Sequence, residues 1–228
     1  LVVQYTYGSA STPTPTSNVS VTPGATLSPT PTATATASGA VVVVQEGLLG
    51  YSGITDTFLN QWDRNVNYGR NVSTAIRQGG VKSTLIRFDL STVPHGPIHS
   101  ATLGIYALAR TNVGNLTIDV HPVLRSWGEE QATYNLATAA VAWALPGCSS
   151  EGVDLGPVVA TQEVGALNAW HEFDITDLVR GWLEGTAVNN GVILTGRGPT
   201  SVEYTYAASE YWWALAQTPK LSIQYATP

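Results

Sequence analysis

The chain has 228 residues and a formal net charge of −6, and charged side chains make up only 11% of it. Its two lysines, Lys82 and Lys220, form no basic stripe, which argues against nucleic-acid binding. No apolar run approaches the roughly 20 residues that span a bilayer, so we predict no membrane-spanning helix. Cys148 is the single cysteine, so we interpret it as a small buried or half-exposed thiol, with an intermolecular disulfide as the alternative.

The first seven residues repeat the pattern of a segment near the other end of the sequence. The repeated segment comprises Leu1, Val2, Val3, Gln4, Tyr5, Thr6 and Tyr7. The matches are Leu1 with Leu221, Val3 with Ile223, Gln4 with Gln224 and Tyr5 with Tyr225. A lone strand cannot pair its backbone groups or bury its apolar face. We therefore predict that residues 1–8 are a β-strand that completes the sheet of another module or another copy.

Residues 9–40 form a Ser/Thr/Pro-rich linker. Between Ser9 and Ser38, 20 of 30 residues are Thr, Ser or Pro, so the segment has few apolar side chains with which to build a core. Its prolines favour extended geometry, and such stalks are typical acceptors of O-linked sugars. We predict glycans on the linker, and Asn71 and Asn115 also begin N-glycosylation sequons. The candidate linker positions are Thr12, Thr14, Thr16, Asn18, Thr22, Thr26, Thr30, Thr32, Thr34 and Thr36.

From residue 41 onward the pattern is that of short β-strands with turn residues between them. The predicted strands are 41–46, 82–90, 100–109, 116–123, 191–195, 202–207 and 221–225, and Phe88, Leu103, Ile105 and Ile118 are predicted to be buried. One short helix is predicted at Thr176–Leu183, with Thr176 or Asp174 as its cap and Gly185 at its end. Residues 128–170 are expected to form long loops. The fold class predicted for residues 41–228 is all-β, a jelly-roll-like β-sandwich with one short helix, preceded by the isolated strand and the extended linker.

An ordered series of short motifs also resembles a known family. The motifs are Gln45-Glu46-Gly47, Gly50-Tyr51, Asp56-Thr57, Asn67-Tyr68-Gly69, 85–91 (LIRFDLS), 100–103 (SATL), 123–127 (VLRSW), 132–135 (ATYN), 173–179 (FDITDLV), 208–210 (ASE) and 219–221 (PKL). The series is similar to a DNRLRE-type domain, the group linked to carbohydrate-binding module family 96 and related to disaggregatase-associated modules. The resemblance implies a secreted, non-catalytic jelly-roll sandwich on larger surface proteins. In carbohydrate-binding members it implies that basic residues bind an acidic polysaccharide.

Aromatic residues supply two candidate sugar platforms, because their ring faces stack on the C–H face of a pyranose. The first candidate is Tyr211 with Trp212 and Trp213, although packing in the core or at an interface is the favoured interpretation. In an extended strand only one of the two neighbouring tryptophans would face a ligand. The second candidate is Trp62 with Tyr68, in a polar loop that also contains Arg64 and Arg70.

Metal and catalytic signals are weaker. Asp63, Asn65 and Asn67 space oxygen ligands as calcium loops do, with an Asx-rich turn as the alternative, so we expect no cofactor beyond a weak calcium candidate. The acidic residues Glu129, Glu130, Glu203 and Glu210, and the histidines His121 and His171, form no recognisable catalytic motif. We therefore expect no enzymatic activity.

These features lead to two functional hypotheses for an extracellular or cell-surface protein. In the first, the chain is a structural subunit or tandem repeat of a fibre or surface layer, whose partners are copies of itself joined by β-strand addition through residues 1–7. In the second, it is a non-catalytic carbohydrate-binding module on a glycosylated stalk, with polysaccharide as its partner. Repeats of the whole unit in the gene would favour the first hypothesis, and a flanking lyase domain would favour the second.

Overall fold

The computed structural model describes residues 39–226, which contain thirteen β-strands and one α-helix. The predicted strand at Leu1–Tyr7, the linker glycosylation positions and Asn18 lie outside the described residues. The strands are β1 Val41–Gln45, β2 Ile54–Asn60, β3 Ser73–Arg77, β4 Lys82–Phe88, β5 Ile98–Arg110, β6 Leu116–Pro122, β7 Leu136–Thr138, β8 Val141–Ala142, β9 Ala160–Val164, β10 Ala169–Asp174, β11 Val192–Arg197, β12 Glu203–Ala207 and β13 Lys220–Tyr225, and the helix is α1 Thr176–Glu184.

All strands except the short β7–β8 hairpin belong to one antiparallel sheet that curls into two facing layers. The front layer contains β1, β13, β5, β12, β3 and β10. Strands β13 and β12 pair with successive parts of one edge of β5, and β10 pairs with its other edge. The back layer contains β2, β4, β11, β6 and β9. The long strand β5 connects β13 with β12, because it pairs with β13 near its start and with β12 near its end. The predicted all-β sandwich with one short helix is therefore confirmed.

The main hydrophobic core lies between the two layers. Period-two alternation puts Leu103 and Ile105 of β5 opposite Phe88 of β4 and Ile118 of β6, and all four side chains are buried as predicted. Removing such a side chain from water contributes about 1.5–3 kcal/mol before ordering costs. These residues therefore account for much of the driving force that closes the sandwich.

A second core covers the outer face of the back layer. Leu85 of β4 and Ile193 of β11 point away from the main core, and they pack under Trp127 and Trp143 from the segment 123–155. Both indole N–H groups donate to backbone carbonyls, that of Trp127 to Asn190 and that of Trp143 to Thr133. The segment expected to be a long loop is thus irregular, but it is packed as a third layer.

Asp154 holds this outer layer together. Its carboxylate is fully buried and accepts hydrogen bonds from the N–H groups of Ala144 and Leu145, both at 3.0 Å. It also accepts one from Nε of Arg125 at 2.7 Å. One carboxylate therefore supplies the partner for three donors on two stretches of chain, Arg125 and the neighbouring residues Ala144 and Leu145, and so connects parts of a segment with little regular secondary structure.

Helix α1 begins and ends close to the predicted residues. Its N-terminus differs from the prediction, because Ile175 occupies the cap position and its side chain makes no capping hydrogen bond. Instead the carboxylate of Asp174 accepts from the backbone N–H of Thr176 at 2.9 Å, which fixes the turn before the helix. Gly185 ends the helix in the left-handed region with φ of 72°, as predicted.

Cys148 lies fully buried in the second core as a free thiol. Burial raises the pKa of this thiol above its usual value, and the charge of Asp154 raises it further. The interpretation as a small buried residue is therefore the correct one, and a disulfide to another chain would require the outer layer to open. Among the helices of the described part, none is long and apolar enough to cross a membrane.

Candidate functional site

Trp62 projects from the loop after β2 and is 61% exposed. The side-chain oxygen of Asn60 accepts from the backbone N–H of Trp62 at 3.1 Å, which fixes the first turn of this loop. The guanidinium of Arg77 lies 4.8 Å from the centre of the indole, and Nζ of Lys82 lies 5.7 Å from it. An open aromatic ring and two cations therefore occupy one surface, which we call the Trp62 site.

The Gly79-Gly80 turn brings the two cations of the Trp62 site together. Arg77 ends β3 and Lys82 begins β4, and both glycines of the turn between them have positive φ. Glu203 of β12 accepts from Lys82 at 2.8 Å and from Arg77 at 3.4 Å. Arg77, Lys82 and Glu203 together carry a charge of +1. Sequence reasoning missed Arg77 and Lys82, although a Gly-Gly pair between strands is a hairpin signal.

The arginines expected beside Trp62 from their position in the sequence have other partners. The guanidinium of Arg64 lies over the ring of Tyr134, 5.0 Å from its centre. Arg70 forms an exposed bidentate ion pair with Glu130, whose shorter distance is 2.7 Å. Neither arginine is among the cations that lie over the indole of Trp62.

Tyr68 supports the Trp62 loop and is not itself an open platform. Its ring stacks on Phe58 at a centroid distance of 4.1 Å, so one of its faces is covered. Its hydroxyl donates to Asp63 at 3.0 Å and accepts from Asn60 at 3.2 Å. Burial raises the pKa of Tyr68, as expected for a hydroxyl held inside a network.

The candidate calcium oxygens take part in separate hydrogen bonds. Asp63 accepts from Tyr68, whereas the side-chain oxygen of Asn65 accepts from Asn135 at 2.8 Å. The amide of Asn67 donates to the carbonyls of Glu129 and Ala132, which ties this loop to the outer layer. In residues 39–226, no group of three or more His, Cys, Asp or Glu side chains is arranged to hold a metal ion. Calcium binding here stays a prediction.

Tyr211, Trp212 and Trp213 lie at a 3₁₀ turn and not on an extended strand. Trp212 is 72% exposed and Trp213 is 51% exposed, so they do not pack in the core of this domain, and the other half of the expectation, packing at an interface, stays a prediction. The two indoles are nearly perpendicular, at 88°, with centroids 5.2 Å apart. A 3₁₀ turn does not impose the alternation of a strand, and both rings therefore reach the surface. We call this surface the Trp212 ridge.

Four carboxyl groups cluster beside the Trp212 ridge. Glu129 accepts from the backbone N–H of Asp56 at 2.7 Å, and Asp56 accepts from the N–H of Ser209 at the same distance. Burial raises the pKa of Glu46, Asp56, Glu129 and Glu210, and repulsion by Glu210 raises the pKa of each of the other three further. Since Glu46 and Glu129 accept N–H groups at the open edge of β2, they also protect that edge from pairing with another strand.

A groove of about 790 Å³ runs between β9 and β10, where the two layers separate. The side-chain oxygen of Gln162 is buried there without a partner among the described residues. Phe173 in the floor is buried, and the lining has no exposed Trp, Tyr or Phe. The groove therefore lacks a stacking surface, unlike the Trp62 site and the Trp212 ridge.

Both remaining N-glycosylation candidates lie at the surface. Asn71 is exposed just before β3, and Asn115 is exposed just before β6. The amide of Asn115 donates to Glu163 at 3.1 Å, a contact that a glycan on the same nitrogen would change. The position of both residues leaves room for a glycan, and glycosylation itself stays a prediction.

The described part of the chain is a β-sandwich that exposes aromatic rings at two places, the Trp62 site and the Trp212 ridge. Consistently, the model of carbohydrate-binding module family 96 matches residues 50–146, so the resemblance to that family is confirmed. The matched residues include Trp62, Arg77 and Lys82 but not the Trp212 ridge. No curated protein matches the chain.

Proposed function

We propose that this domain binds an acidic polysaccharide at the Trp62 site. The observation that carries the proposal is an indole with 61% of its surface open and a guanidinium 4.8 Å from its centre. A sugar ring stacks on the exposed part of the indole, and its carboxylate or sulfate interacts with the exposed parts of Arg77 and Lys82, whose side chains are 18% and 16% exposed. The family match supports the proposal because it covers these residues.

The charge at the Trp62 site sets the expected ligand and the expected affinity. Glu203 neutralises one of the two cations, so the site attracts anions by a net charge of +1 and not +2. Stacking and one charge-assisted contact give a weak single site, with a dissociation constant on the order of 1 mM, since each contributes only about 1–3 kcal/mol. A polymer with many repeating sugars would bind to arrays of such modules more tightly through avidity.

Trp62→Ala should reduce binding of a polyuronate by about 5- to 30-fold, because stacking of an exposed ring is worth about 1–2 kcal/mol. Affinity electrophoresis at several salt concentrations would measure it, and wild-type affinity should fall as salt rises. Trp170→Ala is the matched control, since Lys220 lies over that indole at 4.0 Å on another part of the surface. Equal affinities for wild type and Trp62→Ala would contradict the proposal.

A second candidate function is assembly by β-strand addition. One observation favours it: β1 lies at the end of the strand order, and β13 is its only ladder partner within residues 39–226. Leu221 and Ile223 of β13 are fully buried beside Val42 and Val44. Residues 1–7 repeat the β13 pattern. A segment of that pattern would pair with the edge of β1 that β13 does not use, and its apolar side chains would lie on the same face of the sheet as Leu221 and Ile223.

Val3→Asp in the full chain should abolish such assembly, because an unpaired carboxylate would be buried against the partner's core. Val2→Asp is the control, since a neighbouring strand position faces the other way. Electron microscopy at low and high salt would test both variants, and fibres should resist salt because residues 1–7 carry no charge. Fibres that survive Val3→Asp would exclude this mechanism. Chain length on a denaturing gel separates subunits from tandem repeats.

A further inference from the structure

The Trp212 ridge has the geometry of a ligand platform. The ring of Trp213 lies against Tyr211, with centroids 4.3 Å apart, and against Trp212, with centroids 5.2 Å apart. Trp213 is therefore held between two aromatic neighbours, whereas Trp212 has the larger exposed fraction of the two indoles, 72%. Trp212 is the stacking surface of the ridge, and Trp213 is a positioning residue that sets its angle.

The turn that carries these rings is anchored to the sandwich. Thr218 is buried at its end, and its hydroxyl donates to the carbonyl of Leu215 at 2.8 Å. Gln45 of β1 donates from its side-chain amide to the carbonyl of Thr218, also at 2.8 Å. Leu215 packs on Gly47, where an added Cβ would come within 2.6 Å of Leu215 Cδ1. A ligand would therefore meet rings whose backbone is already fixed, which lowers the ordering cost of binding.

The charges near the Trp212 ridge are opposite in sign to those of the Trp62 site. Glu210 lies two residues before Trp212, and Glu46 immediately precedes the glycine that contacts Leu215. Both belong to the carboxyl cluster, where burial raises the pKa of Glu46 and the charge of Glu210 raises it further. Among residues 39–226, no lysine or arginine lies over either indole of the ridge. An anionic sugar chain would be repelled here, although it would be attracted at the Trp62 site.

We propose that the Trp212 ridge is a second carbohydrate site, and that it takes an uncharged polysaccharide. The C–H face of a neutral sugar ring would stack on Trp212, and the edge of Trp213 would limit the tilt of that ring. The domain would then hold an anionic and a neutral glycan at separate sites, as a link between two kinds of polysaccharide. This inference extends the proposed function to a second ligand, but it does not depend on the Trp62 site.

The test is affinity electrophoresis in gels that contain a soluble β-1,4-glucan, a mannan, a xylan or a polyuronate. At least one uncharged polymer should retard the wild-type protein equally at low and high salt, because screening acts only on charges. Trp212→Ala should reduce this retardation by about tenfold and leave polyuronate binding unchanged. Trp62→Ala should do the reverse. Val188→Ala is the control, because it removes apolar surface from a side chain that is 76% exposed and belongs to neither site, and wild-type behaviour is expected in every gel.

Three results would overturn the inference. The first is that none of the three uncharged polymers retards the wild-type protein. The second is that Trp212→Ala, with an unchanged melting temperature, binds the uncharged polymer as well as wild type does. The third is that analytical ultracentrifugation shows self-association that Trp212→Ala abolishes, because the ridge would then be an interface between copies. Loss of polyuronate binding in Trp62→Ala is scored separately, so each proposal can fail without the other.

Discussion

Asp154→Ala is expected to lower the free energy of unfolding by about 3–5 kcal/mol, the range for breaking a buried, charge-assisted network. The side chain of Asp154 is 0% exposed and supplies the acceptors for Arg125, Ala144 and Leu145. Removing the carboxylate leaves two backbone N–H groups and one guanidinium without their partner. The outer layer should therefore loosen first, because its short segments have few other hydrogen bonds.

Urea unfolding followed by tryptophan fluorescence would measure the loss, since Trp127 and Trp143 lie in the outer layer. Hydrogen exchange should become faster in residues 123–155 and change little in β5 and β13. Asp177→Ala is the control, because it also removes an arginine–carboxylate pair, but the Asp177 side chain is 95% exposed. Unchanged stability of Asp154→Ala would show that the outer layer does not depend on this carboxylate.

The effect of Asp154 should also depend on pH. Burial alone would raise the pKa of this carboxyl, but the hydrogen bonds from Ala144, Leu145 and Arg125 together lower it. A lowered pKa in the folded state means that the stabilisation is present above the unfolded value of about 3.9 and is lost as the pH falls below it. The difference between wild type and Asp154→Ala should therefore shrink below about pH 4.

Glu210→Gln is expected to stabilise the domain at pH 7–8, by about 1 kcal/mol, even though it removes a charged residue. Burial is the largest cause of the raised pKa of Glu46, Asp56 and Glu129, and the charge of Glu210 contributes to each shift. Glutamine keeps an oxygen that can accept from the hydroxyl of Ser209, as Glu210 does at 3.0 Å. The substitution thus removes repulsion and keeps the hydrogen bond.

The sign of the pH dependence follows from the direction of these shifts. A carboxyl group with a raised pKa in the folded state destabilises the fold once the pH rises above its unfolded pKa of about 4. The advantage of Glu210→Gln should therefore grow as the pH rises from about 4 towards neutrality. Thermal melts from pH 4 to pH 8 would measure it.

Glu172→Gln is the matched control for Glu210→Gln, since it also removes one negative charge but lies exposed in a pair with Lys220. It should leave the melting temperature close to that of wild type at every pH. If both variants were stabilised equally, the effect would come from the net charge of −6 and not from the carboxyl cluster. A Glu210→Gln variant that melts below wild type at pH 7.5 would contradict the role assigned to the cluster.

Much of the sandwich was predictable from local pattern. The alternation in β5 gave the buried face through Leu103 and Ile105, and helix α1 was predicted to end at Leu183, one residue before its observed end. These features are local because the period of a strand or helix decides which side chains share a face. The sequence did not predict that Arg77 and Lys82 lie together beside Trp62. Their position depends on the hairpin between β3 and β4, and on strand β12, which brings Glu203 next to that hairpin.

By itself, the sequence determined that residues 41–225 form short strands with one apolar face. Apolar side chains at every second position all lie on the same face of a strand, and that face must be buried. Only the tertiary structure decided what covers the opposite face. Leu85 looks like an outward position of β4, and it is buried because Asp154 and Trp127 bring residues 123–155 over it. Trp212 is apolar in sequence and exposed in the fold, because a 3₁₀ turn anchored by Thr218 carries it to the surface. Both outcomes depend on contacts between distant parts of the chain, which no local period encodes.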